Sequence, residues 1–240
     1  MIGFISWDTL FRCLAIAVIA YLLGSLSFSI IITKIAIKKD IREMGSGNAG
    51  MTNVLRCVGV VPAILTFVLD FAKCVLAVFI GFWLFKNVHA GTELSIYEYE
   101  TYGKYLAGLF CALGHMYPIF FKFKGGKGVV TTEALAIMVD WRVGLVTLGI
   151  FIIVLLISKY VSLSSIIAAA SFGFVTFFFR CYDFFWGKIG IINELTWRYI
   201  IVSSACALGM GLLVIVEHRI NIVRLKSGEE KKFSIKKKDT

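Results

Sequence analysis

Long apolar segments recur along the chain, and a soluble fold would not bury all of them. A transmembrane helix needs about 20 mostly apolar residues. Apolar residues form 59% of the sequence and its mean hydropathy is +0.86, whereas soluble proteins are nearer half apolar. We therefore predict an all-α, polytopic integral membrane protein with about seven transmembrane helices, at roughly 13–33, 58–85, 105–121, 129–139, 143–157, 163–179 and 199–216.

The fourth and fifth of these segments are short, and together they could form one long helix. Asp140, Trp141 and Arg142 lie between them, and polar groups at the centre of a bilayer are costly. We therefore expect two short helices joined by a tight turn. No repeat or second domain is evident, so residues 1–240 are predicted to form one membrane-embedded domain, with 231–240 as a flexible basic tail.

The positive charges of the chain lie mostly on one side of this arrangement. The net charge is +10, and the Lys and Arg residues are concentrated in loops that share a side with the C-terminus. The positive-inside rule then predicts an outside N-terminus and a cytoplasmic C-terminus, in a cell inner (plasma) membrane. This explanation needs no nucleic-acid partner, whereas the lysines at 236–238 suit the anionic headgroups of membrane lipid.

The cysteines and histidines form no metal-binding pattern. The six cysteines are scattered without a C-x-x-C pair, and the three histidines are far apart in sequence. We therefore predict no metal site and no cofactor.

Residues 45–56, GSGNAGMTNVLR, form a glycine-rich loop just before a predicted helix. Glycine lets backbone N–H groups turn toward one point, and the planar guanidinium of Arg56 suits two phosphate oxygens at once. The pattern predicts an anion site on the inside face, although a tight turn at the membrane surface is an alternative. The candidate residues are Gly45, Ser46, Gly47, Asn48, Asn53 and Arg56.

A second inside loop, residues 114–128, combines lysines with glycines at the end of an apolar segment. It lacks the P-loop spacing, but mobile ammonium groups and bare backbone amides suit phosphate. The alternative is that the lysines only set the topology. His115 could be a satisfied core residue, a proton carrier or a cation at a helix end. The candidate phosphate-binding residues are Lys122, Lys124, Gly125, Gly126, Lys127 and Gly128.

Two further inside segments carry polar side chains. Ser162, Ser164 and Ser165 lie at the start of a helix, where they could donate to phosphate, although Ser162 or Ser164 could instead be a plain N-cap. On a helix continuing past the last span, His218 and Asn221 are three residues apart and share a face, although an ordinary basic helix at the membrane surface would look similar.

Asp70 and Lys73 are charged residues within the second apolar segment. Charges in the bilayer are expensive unless they are paired, and a spacing of three residues on a helix allows a direct ion pair. We expect this pair to be structural rather than catalytic.

Taken together, these segments resemble the acyl-phosphate-dependent glycerol-3-phosphate acyltransferases of bacterial membranes (PlsY type). The resemblance rests on GSGNAGMTNVLR at 45–56, GHMYPIFFKFKGGKGV at 114–129 and HRINIVRLKSGEE at 218–230. Weaker matches are YLLGSLSF at 21–28, DFAK at 70–73 and SLSS at 162–165. Ser27, Ala49, Met51 and Val130 depart from the family's usual residues, but none of these changes removes a charged or hydrogen-bonding group.

The resemblance implies a seven-helix enzyme with a cytoplasmic active site. It implies transfer of a fatty acyl group from acyl phosphate to the 1-hydroxyl of sn-glycerol 3-phosphate, which yields lysophosphatidate and phosphate without direct use of coenzyme A or acyl carrier protein. No obligate protein partner is evident. The family's catalytic positions fall on Ser46, Arg56, His218 and Asn221, its glycerol-phosphate motif on 125–128, and its structural acid on Glu230, or on Glu229 if the register slips.

Two points stay open at this stage. Either His218 or a phosphate oxygen of the substrate could take the proton of the 1-hydroxyl. The alternative function is an organic-phosphate transporter or channel with a basic cytoplasmic site. A transporter would need a matching polar site on the outside face, where Glu93, Glu98 and Glu100 and several aromatic residues lie instead.

Overall fold

The computed structural model describes residues 7–86, 96–186 and 196–233, and α-helices form most of these ranges. Two short 3₁₀ turns, Ile41–Glu43 and Ile119–Phe121, accompany the helices, and no β-strand occurs within the described ranges. The all-α prediction is therefore confirmed. The helices are α1 (Trp7–Gly24), α2 (Phe28–Ile37), α3 (Met51–Cys57), α4 (Val60–Phe85), α5 (Ile96–Met116), α6 (Val129–Val139), α7 (Trp141–Ser158), α8 (Val161–Trp186), α9 (Trp197–Glu217) and α10 (Arg219–Lys226).

Five helical segments in the described ranges are long and apolar enough to cross a membrane. Large apolar side chains on their outer faces are exposed, as on α1, where Phe11 is 71% and Leu14 is 59% exposed. Surfaces of this kind suit lipid rather than water. The five segments are Trp7–Ile37, Val60–Phe85, Trp141–Ser158, Val161–Trp186 and Trp197–Glu217, while α5 and α6 correspond to the other two predicted spans.

The first predicted span is not one continuous helix. The chain breaks between α1 and α2 at residues 25–27, where the backbone leaves helical hydrogen bonding and the carbonyl of Leu26 accepts from Lys73 Nζ at 2.7 Å. A freed carbonyl within a membrane helix needs such an internal partner because lipid offers none. The prediction of a single helix over 13–33 was therefore wrong in this respect.

The predicted bounds of the third span were also wrong. Helix α5 begins at Ile96 and ends at Met116, whereas the apolar pattern indicated 105–121. Charged residues such as Glu98 and Lys104 lower the hydropathy of its first turns, and Pro118 cannot continue a helix. By contrast, the tight turn between α6 and α7 is confirmed: the Asp140 carboxylate caps α7 by accepting from the backbone N–H of Arg142 at 3.0 Å.

Small residues let α1, α4 and α5 approach closely. A Cβ added to Gly24 would lie 2.1 Å from the carbonyl oxygen of Cys111, and one added to Gly81 would lie 2.5 Å from that of Gly103. Close backbone contact of this kind is a main source of helix association in lipid. A second, smaller core around Ile41, Ala49 and Val54 supports the loop before α3.

Candidate active site

The glycine-rich loop before α3 is organised by one buried side chain, Asn53. Its Oδ1 accepts from the backbone N–H of Ser46 at 3.0 Å. The two hydrogens of its Nδ2 are shared among the carbonyl oxygens of Ile41, Met44 and Asn48, at 3.0–3.1 Å. The hydrogen-bonding groups of Asn53 are thus used within the loop. This corrects the prediction that Asn53 contacts a ligand directly: it holds the loop in shape.

Several backbone amides of the loop are likewise used internally. The N–H of Gly47 donates to the carbonyl of Met44 at 2.9 Å, and that of Gly50 donates to Asn48 at 3.1 Å. Gly45 and Gly47 have φ values of 59° and 74°, which allow this compact turn. The N–H groups of Ser46, Gly47 and Gly50 therefore all have acceptors within the loop.

The second loop folds back against the end of α5. The N–H of Gly125 donates to the carbonyl of Met116 at 3.1 Å, and the N–H of Gly126 donates to that of His115 at 3.0 Å. These bonds satisfy two carbonyls at the C-terminus of the helix. They also correct the expectation that the amides of Gly125 and Gly126 are bare, because both already have backbone acceptors.

Arg42 joins the two loops, and the sequence analysis missed it. Its guanidinium donates to the carbonyls of Phe121 at 2.6 Å and Lys124 at 3.2 Å, and it pairs with Asp40 through two hydrogen bonds. The hydrogen bond from Arg42 lowers the pKa of the Asp40 carboxyl below its ordinary value. The Asp-x-Arg spacing just before the glycine-rich loop was the available signal for this role.

An open cleft of about 470 Å³ lies where these loops meet. The ammonium-bearing side chains of Lys122 and Lys124 are exposed at this cleft. The structure therefore brings together parts of the first and second predicted segments. The cleft is lined by Asp40, Arg42, Glu43, Gly47, Lys122, Lys124 and Gly125.

The second and fourth segments meet at Lys127. Its Nζ donates to Asn221 Oδ1 at 2.5 Å, and Asn221 Nδ2 donates to Glu230 Oε1 at 2.8 Å. Burial lowers the pKa of Lys127 to about 8, although the charge of Glu230 acts in the opposite direction. Lys127 is thus a partly desolvated cation, and such a charge interacts more strongly with an anion than an exposed one does.

His218 lies at the junction of α9 and α10 and is buried. Its Nδ1 is 2.7 Å from the carbonyl oxygen of Val214, so Nδ1 carries a proton and donates it. Burial, with a further contribution from the charge of Lys127, lowers the pKa of His218 to about 4. The neutral ring therefore keeps a lone pair on Nε2. His218 and Asn221 are both buried, although a helix break at His218 separates α9 from α10.

The serines of α8 do not cap the helix. Helix α8 begins at Val161, so Ser162 and Ser164 lie inside it and the N-cap alternative is wrong. The hydroxyls of Ser164 and Ser165 donate to the carbonyls four residues earlier, at 2.8 and 2.9 Å. Ser162 is buried, and its hydroxyl oxygen lacks a hydrogen-bond partner within the described residues. Ser165 lines a small interior cavity together with Val129, near the residues that follow the lysine loop.

Ser46 and Arg56 are exposed, with Arg56 in the last turn of α3. Neither lines the cleft, although Ser46 is next to the lining residue Gly47 in the loop. Among the described residues, neither side chain is hydrogen-bonded to Lys127, whose Nζ donates to Asn221. Gly128 has a φ of 79° at the start of α6, and a Cβ there would lie 2.3 Å from Met116 Cε, so a glycine is required.

Asp70 and Lys73 form the predicted ion pair, with 2.7 Å between Lys73 Nζ and Asp70 Oδ1. Both are nearly fully buried, and the pair extends to His115 on α5, whose Nδ1 is 3.1 Å from Lys73 Nζ. Of the alternatives for His115, the structure favours a buried and hydrogen-bonded residue over an exposed cation at a helix end.

Comparisons with known proteins agree on one family. The family model for glycerol-3-phosphate acyltransferase matches residues 14–228. The chain is similar to the glycerol-3-phosphate acyltransferases of Prochlorococcus marinus (strain MIT 9515), with 40% identity over 91% of this chain and 96% of the relative, and of Staphylococcus haemolyticus (strain JCSC1435), with 40% identity over 90% and 95%.

Two crystal structures of PlsY, an integral membrane glycerol 3-phosphate acyltransferase, are also similar to this chain. The glycerol 3-phosphate form has a TM-score of 0.71 and 35% identity, and covers 92% of this chain and 96% of its own. The lysophosphatidic acid form has a TM-score of 0.69 and 34% identity, with 93% and 96% covered. With a family model matched over most of its length and relatives aligned nearly end to end, this chain belongs to the glycerol-3-phosphate acyltransferase family.

Proposed function

We propose that this chain transfers a fatty acyl group from acyl phosphate to the 1-hydroxyl of sn-glycerol 3-phosphate, giving lysophosphatidate and phosphate. The observation that carries the proposal is the contact between Lys127 and Asn221, which joins the glycine and lysine loop to the α9–α10 junction. This contact places a partly buried cation beside an amide, and the charge of Lys127 also acts on the neutral ring of His218. Family membership supports the glycerol 3-phosphate acceptor.

Binding both phosphates close together would supply much of the catalysis. Lys127, the exposed lysines of the cleft and Arg56 offer cations, and Ser46, Ser162 and Ser165 offer hydroxyls. Holding two reactants in a productive arrangement turns a bimolecular step into a local one, which is worth up to about 7–11 kcal/mol in favourable cases. The same cations would stabilise negative charge on the carbonyl oxygen and on the leaving phosphate.

The reaction then needs one nucleophilic displacement. The 1-hydroxyl oxygen of glycerol 3-phosphate forms a bond with the acyl carbon, and the bond from that carbon to the phosphate oxygen breaks. Phosphate leaves with the electron pair, and the hydroxyl proton passes to a base. Because acyl phosphate is already activated, no covalent acyl-enzyme and no cofactor are required.

His218 Nε2 is the chain's candidate acceptor for that proton. The hydrogen bond from Nδ1 to Val214 fixes the ring with Nε2 unprotonated, which is the form a general base needs. Its low pKa makes it a weak base in the free protein, and a dianionic phosphate bound nearby would raise the pKa by favouring the cation. A substrate phosphate oxygen remains the competing base, with His218 then orienting the hydroxyl.

We propose seven spans, with the N-terminus outside and the C-terminus and active site on the cytoplasmic side of the inner membrane. The five long apolar segments, together with α5 and α6, would supply the spans. The acyl tail of one substrate would lie among the helices while soluble glycerol 3-phosphate arrives from the cytoplasm. The predicted tail at 231–240 lies mostly outside the described residues.

Purified protein in detergent provides the test. We expect phosphate release from acyl phosphate to require glycerol 3-phosphate, and lysophosphatidate to form in equal amount. Phosphate release without glycerol 3-phosphate, or no release under any condition, would contradict the proposal. The transporter alternative predicts instead that glycerol 3-phosphate crosses sealed vesicles that contain the protein and no acyl phosphate.

The pKa of Lys127 predicts how activity depends on pH. Below about pH 8 the ammonium is charged and attracts phosphate, and above it the charge is lost, so kcat/KM for glycerol 3-phosphate should fall about fivefold between pH 8 and pH 9. The Lys127→Arg variant stays charged and should lack this decline, even at a lower absolute rate. An identical decline in the variant would show that another group titrates. The measurement is kcat/KM for glycerol 3-phosphate at saturating acyl phosphate. The pH should run from about 6.5 to about 9.5, which is about 1.5 pH units on either side of the Lys127 pKa.

A further inference from the structure

A buried charged cluster lies beneath the glycine and lysine loop. Asp70 and Lys73 of α4 are 2% and 5% exposed, and His115 of α5 is 5% exposed. Lys73 Nζ lies 2.7 Å from Asp70 Oδ1, 2.7 Å from the carbonyl oxygen of Leu26 and 3.1 Å from His115 Nδ1. The contact with Asp70 is an ion pair, and Lys73 donates hydrogen bonds to Leu26 and to His115.

The contact with Lys73 decides where the proton of His115 lies. An ammonium group has no acceptor, so His115 Nδ1 must accept, and a ring nitrogen that accepts carries no proton. Asp70 Oδ1 is 3.6 Å from the same nitrogen, which is too far for it to draw a proton there. The cluster therefore selects the neutral form of His115 with its proton on Nε2.

The Nε2 end of the ring lies where the glycine-rich loop and the glycine and lysine loop touch each other. A Cβ added to Gly126 would lie 2.2 Å from His115 Nε2 and 2.7 Å from the carbonyl oxygen of Ala49. The carbonyl of His115 also accepts the N–H of Gly126 at 3.0 Å. His115 thus contacts Gly126 through both its ring and its backbone, and the Ala49 carbonyl is an acceptor at the same point.

We propose that Asp70, Lys73 and His115 act as positioning residues for the phosphate-binding lysine. Lys73 fixes the tautomer of His115, the ring sets the spacing between Gly126 and Ala49, and Gly126 places Lys127, the next residue. This inference deepens the proposed function and rests on it for the role of Lys127. In the described part of the chain, no hydrogen bond joins the side chains of these three residues to Lys127 or Asn221, so they act through Gly126.

The tautomer itself can be measured without any activity. Protein with ¹⁵N-labelled histidine rings should show His115 with a bare Nδ1 and a protonated Nε2. His218 provides an internal control, because its bond to Val214 predicts the opposite tautomer. The chain has three histidines, so single His→Gln variants assign each signal. A protonated Nδ1 on His115 would overturn the proposal even if turnover is normal.

The kinetic test separates positioning from simple stability. We expect His115→Leu to raise KM for glycerol 3-phosphate about tenfold with a smaller change in kcat, because a displaced loop misplaces the Lys127 charge. His115→Gln should restore most of the loss, since its amide can accept from Lys73 and donate toward Ala49. An unchanged KM in His115→Leu would refute the positioning role.

Two further variants keep the test decisive. Removing both charges in Asp70→Asn/Lys73→Met avoids an unpaired buried charge, and it should raise KM about as much as His115→Leu, with no further rise when the two changes are combined. Thr66→Val removes a buried hydroxyl elsewhere on α4 and should leave KM unchanged. Additive effects of the His115 and Asp70/Lys73 changes on KM, or an equal KM change in Thr66→Val, would contradict the positioning role. Absence of turnover in all proteins would instead count against the proposed function and leave the tautomer result standing.

Discussion

The Lys127→Met variant should lose about 100- to 1,000-fold in kcat/KM for glycerol 3-phosphate while remaining folded. Met keeps much of the length and apolar stem of lysine but removes the ammonium group that Asn221 holds in place. A preorganised, partly desolvated charge of this kind contributes about 3–4 kcal/mol to stabilising a developing or bound anion. Each tenfold change corresponds to about 1.4 kcal/mol, so this contribution matches the expected loss.

Steady-state kinetics with purified protein would measure this effect. The matched control is Lys226→Met, which removes an exposed lysine near the end of α10 and should retain wild-type kinetics. A thermal melt in detergent would verify that both variants fold. A loss of less than about tenfold in Lys127→Met would mean that its ammonium is not a principal phosphate contact.

Gly126→Ala is the second variant with a large expected effect. The added Cβ would lie 2.2 Å from His115 Nε2 and 2.7 Å from the carbonyl oxygen of Ala49. Neither neighbour can move freely, because His115 is buried in the charged cluster and Ala49 belongs to the backbone of the first loop. The loop should therefore shift, and we expect KM for glycerol 3-phosphate to rise up to about 100-fold, with a smaller effect on kcat.

Gly149→Ala is a suitable control for this variant. No atom lies within 4 Å of a Cβ at Gly149 in α7, and alanine favours a helix over glycine. Its KM should match the wild-type value. An unchanged KM in Gly126→Ala would show that the loop can accommodate a methyl group, and it would argue against the tight junction with Ala49. Overpacking should also cost about 1–3 kcal/mol of stability, which a thermal melt would detect.

Much of the secondary structure follows from local patterns. The apolar run after Gly128 and the polar Asp140-Trp141-Arg142 turn predicted α6 and α7 correctly, because Asp140 is a strong helix cap and its neighbours are costly in lipid. The break between α1 and α2 was not predictable in this way. It follows a run of apolar and small residues, and its freed carbonyl is satisfied by Lys73, which lies 47 residues away.

The candidate site was predicted in part. The motifs identified Lys127, His218 and Asn221, and the structure brings the first and last into contact across 94 residues of sequence. The motifs did not indicate that Asn53, Gly125 and Gly126 form their hydrogen bonds with carbonyl groups of the chain itself. Those partners are carbonyls, which every residue has, so residue type alone carries no information about them.

The sequence alone determined that this chain is a helical membrane protein of one family, because apolar length and motif order are properties of the chain itself. Only the tertiary structure decided which polar groups remain able to bind a ligand. The tautomers of His115 and His218, the low pKa of Lys127 and the role of Arg42 all depend on neighbours from other helices or distant loops. The physical reason is that proton positions and desolvation are set by distances in space, and packing brings together residues that lie far apart along the chain.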